Sequence, residues 1–219
     1  MTFKGGNFVL VLVAMISWCG IFLQFWISVG MVSNNGEPRI DGLVAYFGYF
    51  TILTNIFVAL ASTTPLIVGN ARLGRWFGKG FVLGCATTAI LLAGIVYHVL
   101  LRHLWNPTGL QLIADMMLHY MVPFVLFMYW IFFAPTQKLS IWAPLAWCIY
   151  PIFYLLYVLA RGEILGVYPY PFIDVVRIGY YQTIINSLGL LVVYILLGGM
   201  VYAISVLRSH TYHVNTGKK

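Results

Sequence analysis

Charged side chains are scarce in this sequence: they make up 8% of its 219 residues, and only five of them are acidic. A soluble domain carries roughly 25% charged residues, because its surface must be hydrated. Hydrophobic residues account for 62% of the chain. The composition therefore excludes an ordinary soluble domain and predicts a protein whose outer surface faces lipid.

Cysteine is also rare. The three cysteines, Cys19, Cys85 and Cys148, each lie inside a different apolar run. An odd number in separate segments argues against a disulfide framework or a cysteine-based metal cluster. The net charge of +7 does not indicate a nucleic-acid partner, because the basic residues flank the apolar runs, as they do in membrane proteins.

Long apolar runs are what the sequence has in place of charge. Each run reaches or nearly reaches the roughly 20 residues that a helix needs to cross a membrane. We predict an all-α polytopic membrane protein in which residues 1–219 form one six-helix domain with a short basic tail at 208–219. The six predicted spans are Asn7–Val29, Leu43–Val68, Phe81–Leu101, Gln111–Phe133, Ile141–Leu159 and Tyr181–Leu207.

The remaining charges predict the orientation. Four segments contain basic residues and no acid: the N-terminus, the second loop, the fourth loop and the tail. All five acidic residues fall in or beside the other three loops: Glu37, Asp41, Asp115, Glu163 and Asp174. Because an excess of Lys and Arg marks the cytoplasmic side, we expect both termini to be cytoplasmic.

Polar side chains at apolar depth are the best indication of a functional site in such a chain. Thr51 and His119 are each predicted about eight residues, or ~12 Å, from the outer ends of their spans, and His98 only ~5 Å from its own. Asn55 follows Thr51 by one helical turn, as His119 follows Asp115. Pro123 removes the usual hydrogen-bond donor to the His119 carbonyl, which predicts a kink and a polar cavity there.

These residue types permit nucleophilic catalysis. Thr51 would be the nucleophile, His119 its general base, Asp115 the group that orients the histidine and Asn55 a donor to the oxyanion. Thr54, one turn from Thr51, is the alternative nucleophile. His98 is a supporting residue, and Arg102 could bind a substrate carboxylate or phosphate.

Three other functions stay open at this point. His98 and His119 could be the axial ligands of a b-type haem. His98, Asp115 and His119 could bind zinc for a metal-dependent hydrolysis. The chain could also bind or transport a small molecule, although no inverted repeat and no span broken by paired glycine and proline favours this.

Three segments occur together in order: Tyr49-Phe50-Thr51, Leu118 to Phe124, and Tyr170-Pro171-Phe172-Ile173-Asp174. Between about Leu43 and Gly199 the chain thereby resembles the androgen-induced gene and androgen-dependent TFPI-regulating proteins and their bacterial six-span relatives. The eukaryotic members hydrolyse fatty acid esters of hydroxy fatty acids with an intramembrane threonine and a histidine. The chain departs from them in a shorter threonine-to-histidine stretch and in Tyr120, where they tend to have threonine.

The resemblance implies an intramembrane lipid-ester hydrolase with Thr51 and His119 as the catalytic pair. It assigns Tyr170 and Phe172 to a loop before the last span, where a stiff aromatic segment could cover a substrate. It also implies the bacterial cytoplasmic membrane, a site in the outer half of that membrane, and a lipid-like substrate. We expect no cofactor, no resident metal and no nucleic-acid partner.

Overall fold

The computed structural model describes residues 4–34, 36, 38–135 and 138–217, with the side chains of 4 and 212–216 left out. Nearly all of these residues are helical, and no β-strand occurs among them. Within these described ranges, six helical segments are long and apolar enough to cross a membrane, which confirms the predicted fold class. In chain order, spans 1 to 6 are Gly5–Asn34, Phe50–Ile67, Gly80–Leu104, Gly109–Phe133, Ala143–Leu165 and Val175–Thr211.

Span 2 differs from its predicted bounds in a way that matters for the site. The predicted helix Leu43–Val68 is divided at Tyr49, which is extended (φ −83°, ψ 128°). A separate short helix, Arg39–Gly48, precedes it and packs against span 1. Thr51 therefore lies in the first turn of its helix and not eight residues inside a continuous one.

The last two spans are also longer than predicted. The helices Ala143–Trp147 and Ile149–Leu165 together form span 5. The last helix, Val175–Thr216, starts earlier than predicted and contains a kink at Gly179 (φ 75°, ψ 163°), a backbone conformation that glycine adopts without strain. The predicted tail at 208–219 is helical as far as Thr216, and Lys218 and Lys219 lie outside the described residues.

Tight packing holds the bundle together on the side opposite the acidic loops. Trp130 and Trp147 are fully buried, and the Trp130 indole donates to the Val201 carbonyl at 2.8 Å. A side chain at Gly84 would have no room, because its Cβ would come within 2.5 Å of the Trp147 ring. Glycine at this position allows spans 3 and 5 to approach closely.

Apolar side chains also cover the outside of the bundle. Phe22 and Trp26 in span 1 and Phe124 in span 4 are each more than 60% exposed. Exposed side chains of this size are costly in water and stable in hydrocarbon, so the bundle surface is suited to contact with membrane lipid.

We predict that the carboxyl end of the chain is cytoplasmic. Arg208 near that end donates to the Ala134 carbonyl at 2.8 Å, which places it at the same end of the bundle as the loop after span 4. A fluorescent protein fused after Lys219 should fluoresce, and alkaline phosphatase fused there should be inactive. Fusions after Gly166, in the loop before span 6, should give the opposite pattern; an active phosphatase at the carboxyl end would contradict the orientation.

Candidate functional site

Thr51 occupies an unusual position at the start of span 2. It is the second residue of the helix Phe50–Ile67, and the preceding residue, Tyr49, provides no side-chain cap. The first N–H groups of a helix have no partner within the helix and form the positive end of its dipole. The Thr51 side chain is buried (8% exposed) and lies at this positive end.

Two cavities meet at Thr51. The first has a volume of about 340 Å³ and is lined almost entirely by apolar side chains from spans 2, 3, 5 and 6; we call it the apolar cavity. The second, of about 330 Å³, lies between spans 1 to 4 and the loop before span 6, and we call it the polar cavity. Thr51, Leu101 and Tyr170 line both.

Tyr170 covers the junction of the two cavities. Its phenol is close enough to the Thr51 hydroxyl and to the main chain of Phe50 and Thr51 to interact with them electrostatically, so it lies at the uncapped start of span 2. Burial raises the pKa of Tyr170 to about 12, although its interactions with Thr51 and Phe50 act in the opposite direction. The phenol is therefore neutral at physiological pH and keeps its proton as a hydrogen-bond donor.

The aromatic loop around Tyr170 is held in place from three sides. The Tyr170 and Phe172 rings stack with centroids 5.2 Å apart, and Tyr49 packs edge-on against Tyr170. The Asn186 amide in span 6 donates to the Phe172 carbonyl at 2.9 Å. Phe172 lines the apolar cavity, so both predicted loop residues lie at the site.

His119 faces the polar cavity from span 4. It lies in a π-helical turn, Met117–Met121, a distortion that is frequent at functional sites. Its Nδ1 lies 3.2 Å from the Asp115 main-chain carbonyl, which can accept its hydrogen bond, and also 3.2 Å from Oδ1 of Asp115. Its ring stacks on Tyr97 with centroids 3.8 Å apart, and Tyr97 accepts a hydrogen bond from the Trp105 indole at 3.2 Å. These contacts hold the imidazole in one orientation, and the hydrogen bond to Asp115 is accepted by its main chain.

Asn55 connects the two halves of the site. Its Nδ2 donates to the Thr51 carbonyl at 2.8 Å and to the Leu118 carbonyl in span 4 at 3.3 Å. Because both bonds use the amide N–H groups, Asn55 is a link between spans and not the oxyanion donor that the sequence predicted. This link fixes Thr51 and the residue before His119 to the same side chain.

The π turn explains why Leu118 accepts this bond. In an α-helix the Leu118 carbonyl would bond to the Val122 N–H, but that N–H bonds to Met117 instead. The donor one residue further on would be Pro123, which has no N–H. The sequence predicted a freed carbonyl at His119, and the π turn adds a second one at Leu118, which the Asn55 amide satisfies.

The structure separates Thr51 from the alternative nucleophile. The Thr54 hydroxyl is fully buried and lies 3.0 Å from the Tyr150 hydroxyl in span 5. It lines neither cavity. Thr54 therefore has a packing role between spans 2 and 5, and Thr51 is the hydroxyl that substrate can reach.

Two other predicted residues lie outside the site. His98 is exposed, and its Nδ1 is 3.2 Å from the Tyr120 hydroxyl. Arg102 is exposed and lines neither cavity, so the predicted contact with a substrate anion is not supported. The error came from treating the end of span 3 as a regular helix, whereas it continues as a π turn (Tyr97–Leu101) and a 3₁₀ turn (Arg102–Leu104).

The structure does not bring together the ligands that the zinc and haem alternatives require. His98 does not line the polar cavity that His119 faces, and its Nδ1 is 3.2 Å from the Tyr120 hydroxyl, so the two imidazoles do not share a cavity that could hold a haem. Within the described ranges, no three His, Cys, Asp or Glu side chains come together in a way that could hold a metal ion. The zinc set of His98, Asp115 and His119 is therefore not assembled.

Sequence reasoning missed several residues that line the polar cavity. Gln24, Ser28 and Gln111 form its far wall, and Tyr97 supports His119. Gln24 is a polar residue inside an apolar run, so the depth rule that selected Thr51 would also have selected it. Nothing in the local sequence distinguishes Tyr97 from the other aromatic residues of the chain.

No protein-family model matches the chain, and neither a curated protein nor a solved structure matches it. The resemblance to the androgen-induced gene family therefore stays a prediction.

Replacing Asn55 with leucine should lower the stability of the protein by more than a substitution at an equally buried residue that makes no contact between spans. The substitution removes the donor to Leu118 and leaves that carbonyl unpaired, which costs about 1–3 kcal/mol. We expect a lower thermal unfolding temperature in detergent. Ser62→Ala is the matched control, because the Ser62 hydroxyl is equally buried but bonds only within its own helix, to Val58 at 2.7 Å. Equal losses in the two variants would contradict the linking role.

Proposed function

We propose that this protein is an intramembrane hydrolase of lipid esters, with Thr51 as nucleophile and His119 as general base. One observation carries the proposal: the reachable hydroxyl of Thr51 lies where an apolar and a polar cavity meet, and His119 lines the polar one. An ester of a fatty acid and a polar alcohol likewise has an apolar part and a polar part. Its reactive carbonyl carbon lies where the two parts join.

The orientation of His119 supports its role as a base. Its Nδ1–H can donate to the Asp115 main-chain carbonyl at 3.2 Å, which leaves Nε2 as the nitrogen able to accept a proton from Thr51. The Asp115 carboxylate, with Oδ1 3.2 Å from Nδ1, would stabilise the imidazolium that forms. A threonine hydroxyl needs such a base, because it is a weak nucleophile on its own.

The chemistry proceeds in two steps. Oγ1 of Thr51 attacks the ester carbonyl while His119 takes its proton; the bond to the alcohol oxygen then breaks, and His119 returns the proton to the leaving alcohol. A water molecule deprotonated by His119 then attacks the acyl-threonine, which releases the fatty acid and restores the hydroxyl. The oxyanion of each step would accept a hydrogen bond from the Tyr170 phenol, and the positive end of the span 2 helix would stabilise its charge.

The apolar cavity would hold the acyl chain. Its wall includes Leu92 and Val96 of span 3, Leu155 of span 5 and Leu188 of span 6. The substrate would enter from the lipid, which is consistent with the bundle's apolar surface. Because the acyl chain leaves one hydrocarbon environment for another, its fit in the cavity depends on packing and not on removal from water.

We extend the proposal to family and location. The order of threonine, histidine and aromatic loop along the chain supports a distant relationship to the androgen-induced gene family, and its bacterial six-span relatives suggest a bacterial cytoplasmic membrane. The basic, acid-free loops support an orientation in which the site lies in the outer half of that membrane.

Substitution of the catalytic pair tests the proposal. With a fluorogenic long-chain ester and purified protein in detergent, we expect Thr51→Ala and His119→Gln each to lower kcat/KM by roughly 10²–10⁴, because each removes one part of a single chemical step. Thr51→Ser should keep measurable activity.

Two controls match these variants in residue type. Thr54→Ala and His98→Gln change a threonine and a histidine outside both cavities, and their kcat/KM should stay within a few-fold of the wild type. Normal turnover by Thr51→Ala, or its loss in Thr54→Ala, would refute the assignment of the nucleophile.

A further inference from the structure

The lining of the polar cavity includes a cluster of uncharged amide and hydroxyl groups from spans 1 and 4. Gln111 of span 4 donates through Nε2 to Oε1 of Gln24 in span 1 at 2.8 Å. Gln24 donates back to Oε1 of Gln111 at 3.4 Å and to the Ser28 hydroxyl at 3.2 Å. All three side chains line the cavity. We call these three residues the amide wall.

No cationic side chain accompanies this wall. Of the residues that the structure describes, those lining the polar cavity include no lysine and no arginine. Arg161, a cation near this end of the bundle, uses its guanidinium on the main-chain carbonyls of Val44 and Val167. The titratable group beside His119 is the acidic side chain of Asp115, with Oδ1 3.2 Å from Nδ1.

This charge distribution discriminates between polar ends of a substrate. A carboxylate or phosphate in the cavity would leave water without a cation to pair with and would be repelled by Asp115. A hydroxyl group both donates and accepts, as the glutamine amides do as a pair. A diol can therefore replace the contacts that the two glutamines make with each other.

We propose that the amide wall binds the uncharged, hydroxyl-bearing alcohol part of the substrate, so that the ester cleaved is one of a neutral polyol such as glycerol. The inference rests on the proposed hydrolase function and deepens it. It departs from what the family resemblance implies, because a hydroxy fatty acid ester carries a carboxylate on its alcohol part.

A panel of esters with one common acyl chain tests the inference. The oleoyl esters of methanol, glycerol, a hydroxy fatty acid and glycerol phosphate differ only in the alcohol part. We expect the glycerol ester to have at least a tenfold higher kcat/KM than the two anionic esters. The methyl ester has no polar end and supplies the reference rate for chemistry at Thr51.

Variants of the wall separate recognition from packing. In Gln24→Leu/Gln111→Leu the ratio of glycerol-ester to methyl-ester kcat/KM should fall about tenfold, because the hydroxyls lose their partners. If the pair served only to join spans 1 and 4, both esters would slow equally and the ratio would not change. Gln111→Arg adds the missing cation and should raise the relative rate on the hydroxy fatty acid ester.

The outcomes distinguish the two proposals. A wild-type preference for an anionic ester, or an unchanged ratio in the double-leucine variant, would overturn the inference. If the methyl ester were still hydrolysed in a Thr51-dependent way, the proposed hydrolase function would stand. If no ester were hydrolysed by the wild type, both proposals would fail.

Discussion

The hydrogen bond from Asn55 to the Leu118 carbonyl is the constraint on which the site depends. A carbonyl without a partner is costly inside a bundle surrounded by lipid, because no solvent can replace the missing donor. The π turn and Pro123 create such a carbonyl, and the amide from span 2 is the group that satisfies it. The distortion that turns His119 into the polar cavity thus also fixes the distance between spans 2 and 4.

The break before span 2 completes the arrangement. Because the chain is extended at Tyr49, the helix starts one residue before Thr51, and its positive end lies beside a side chain that lines both cavities. Tyr170 lies at that position from the loop before span 6. Thr51, Tyr170 and His119 therefore line one polar cavity, and the first two also line the apolar one.

The sequence predicted what depends on length and composition, and it missed what depends on packing. Six spans follow from six apolar runs, and Thr51, His119 and Asp115 follow from the rarity of polar groups at depth. No proline in the sequence marks the helix break at Tyr49, so Thr51 was predicted too deep in its helix. To predict the role of Asn55, one must know which carbonyl the π turn leaves free. To predict that Arg102 lies outside both cavities, one must know how span 3 ends. The pairing of Gln24 with Gln111 joins residues 87 positions apart.

The central claim is that Thr51 is the hydroxyl that attacks an ester, and covalent mapping tests it most directly. The protein in detergent would be treated with a fluorophosphonate bearing a long alkyl chain, digested and analysed by mass spectrometry. The account predicts one adduct, on Thr51, that disappears in His119→Gln. An adduct on Thr54 or on another residue, formed while Thr51 stays unmodified, would contradict it.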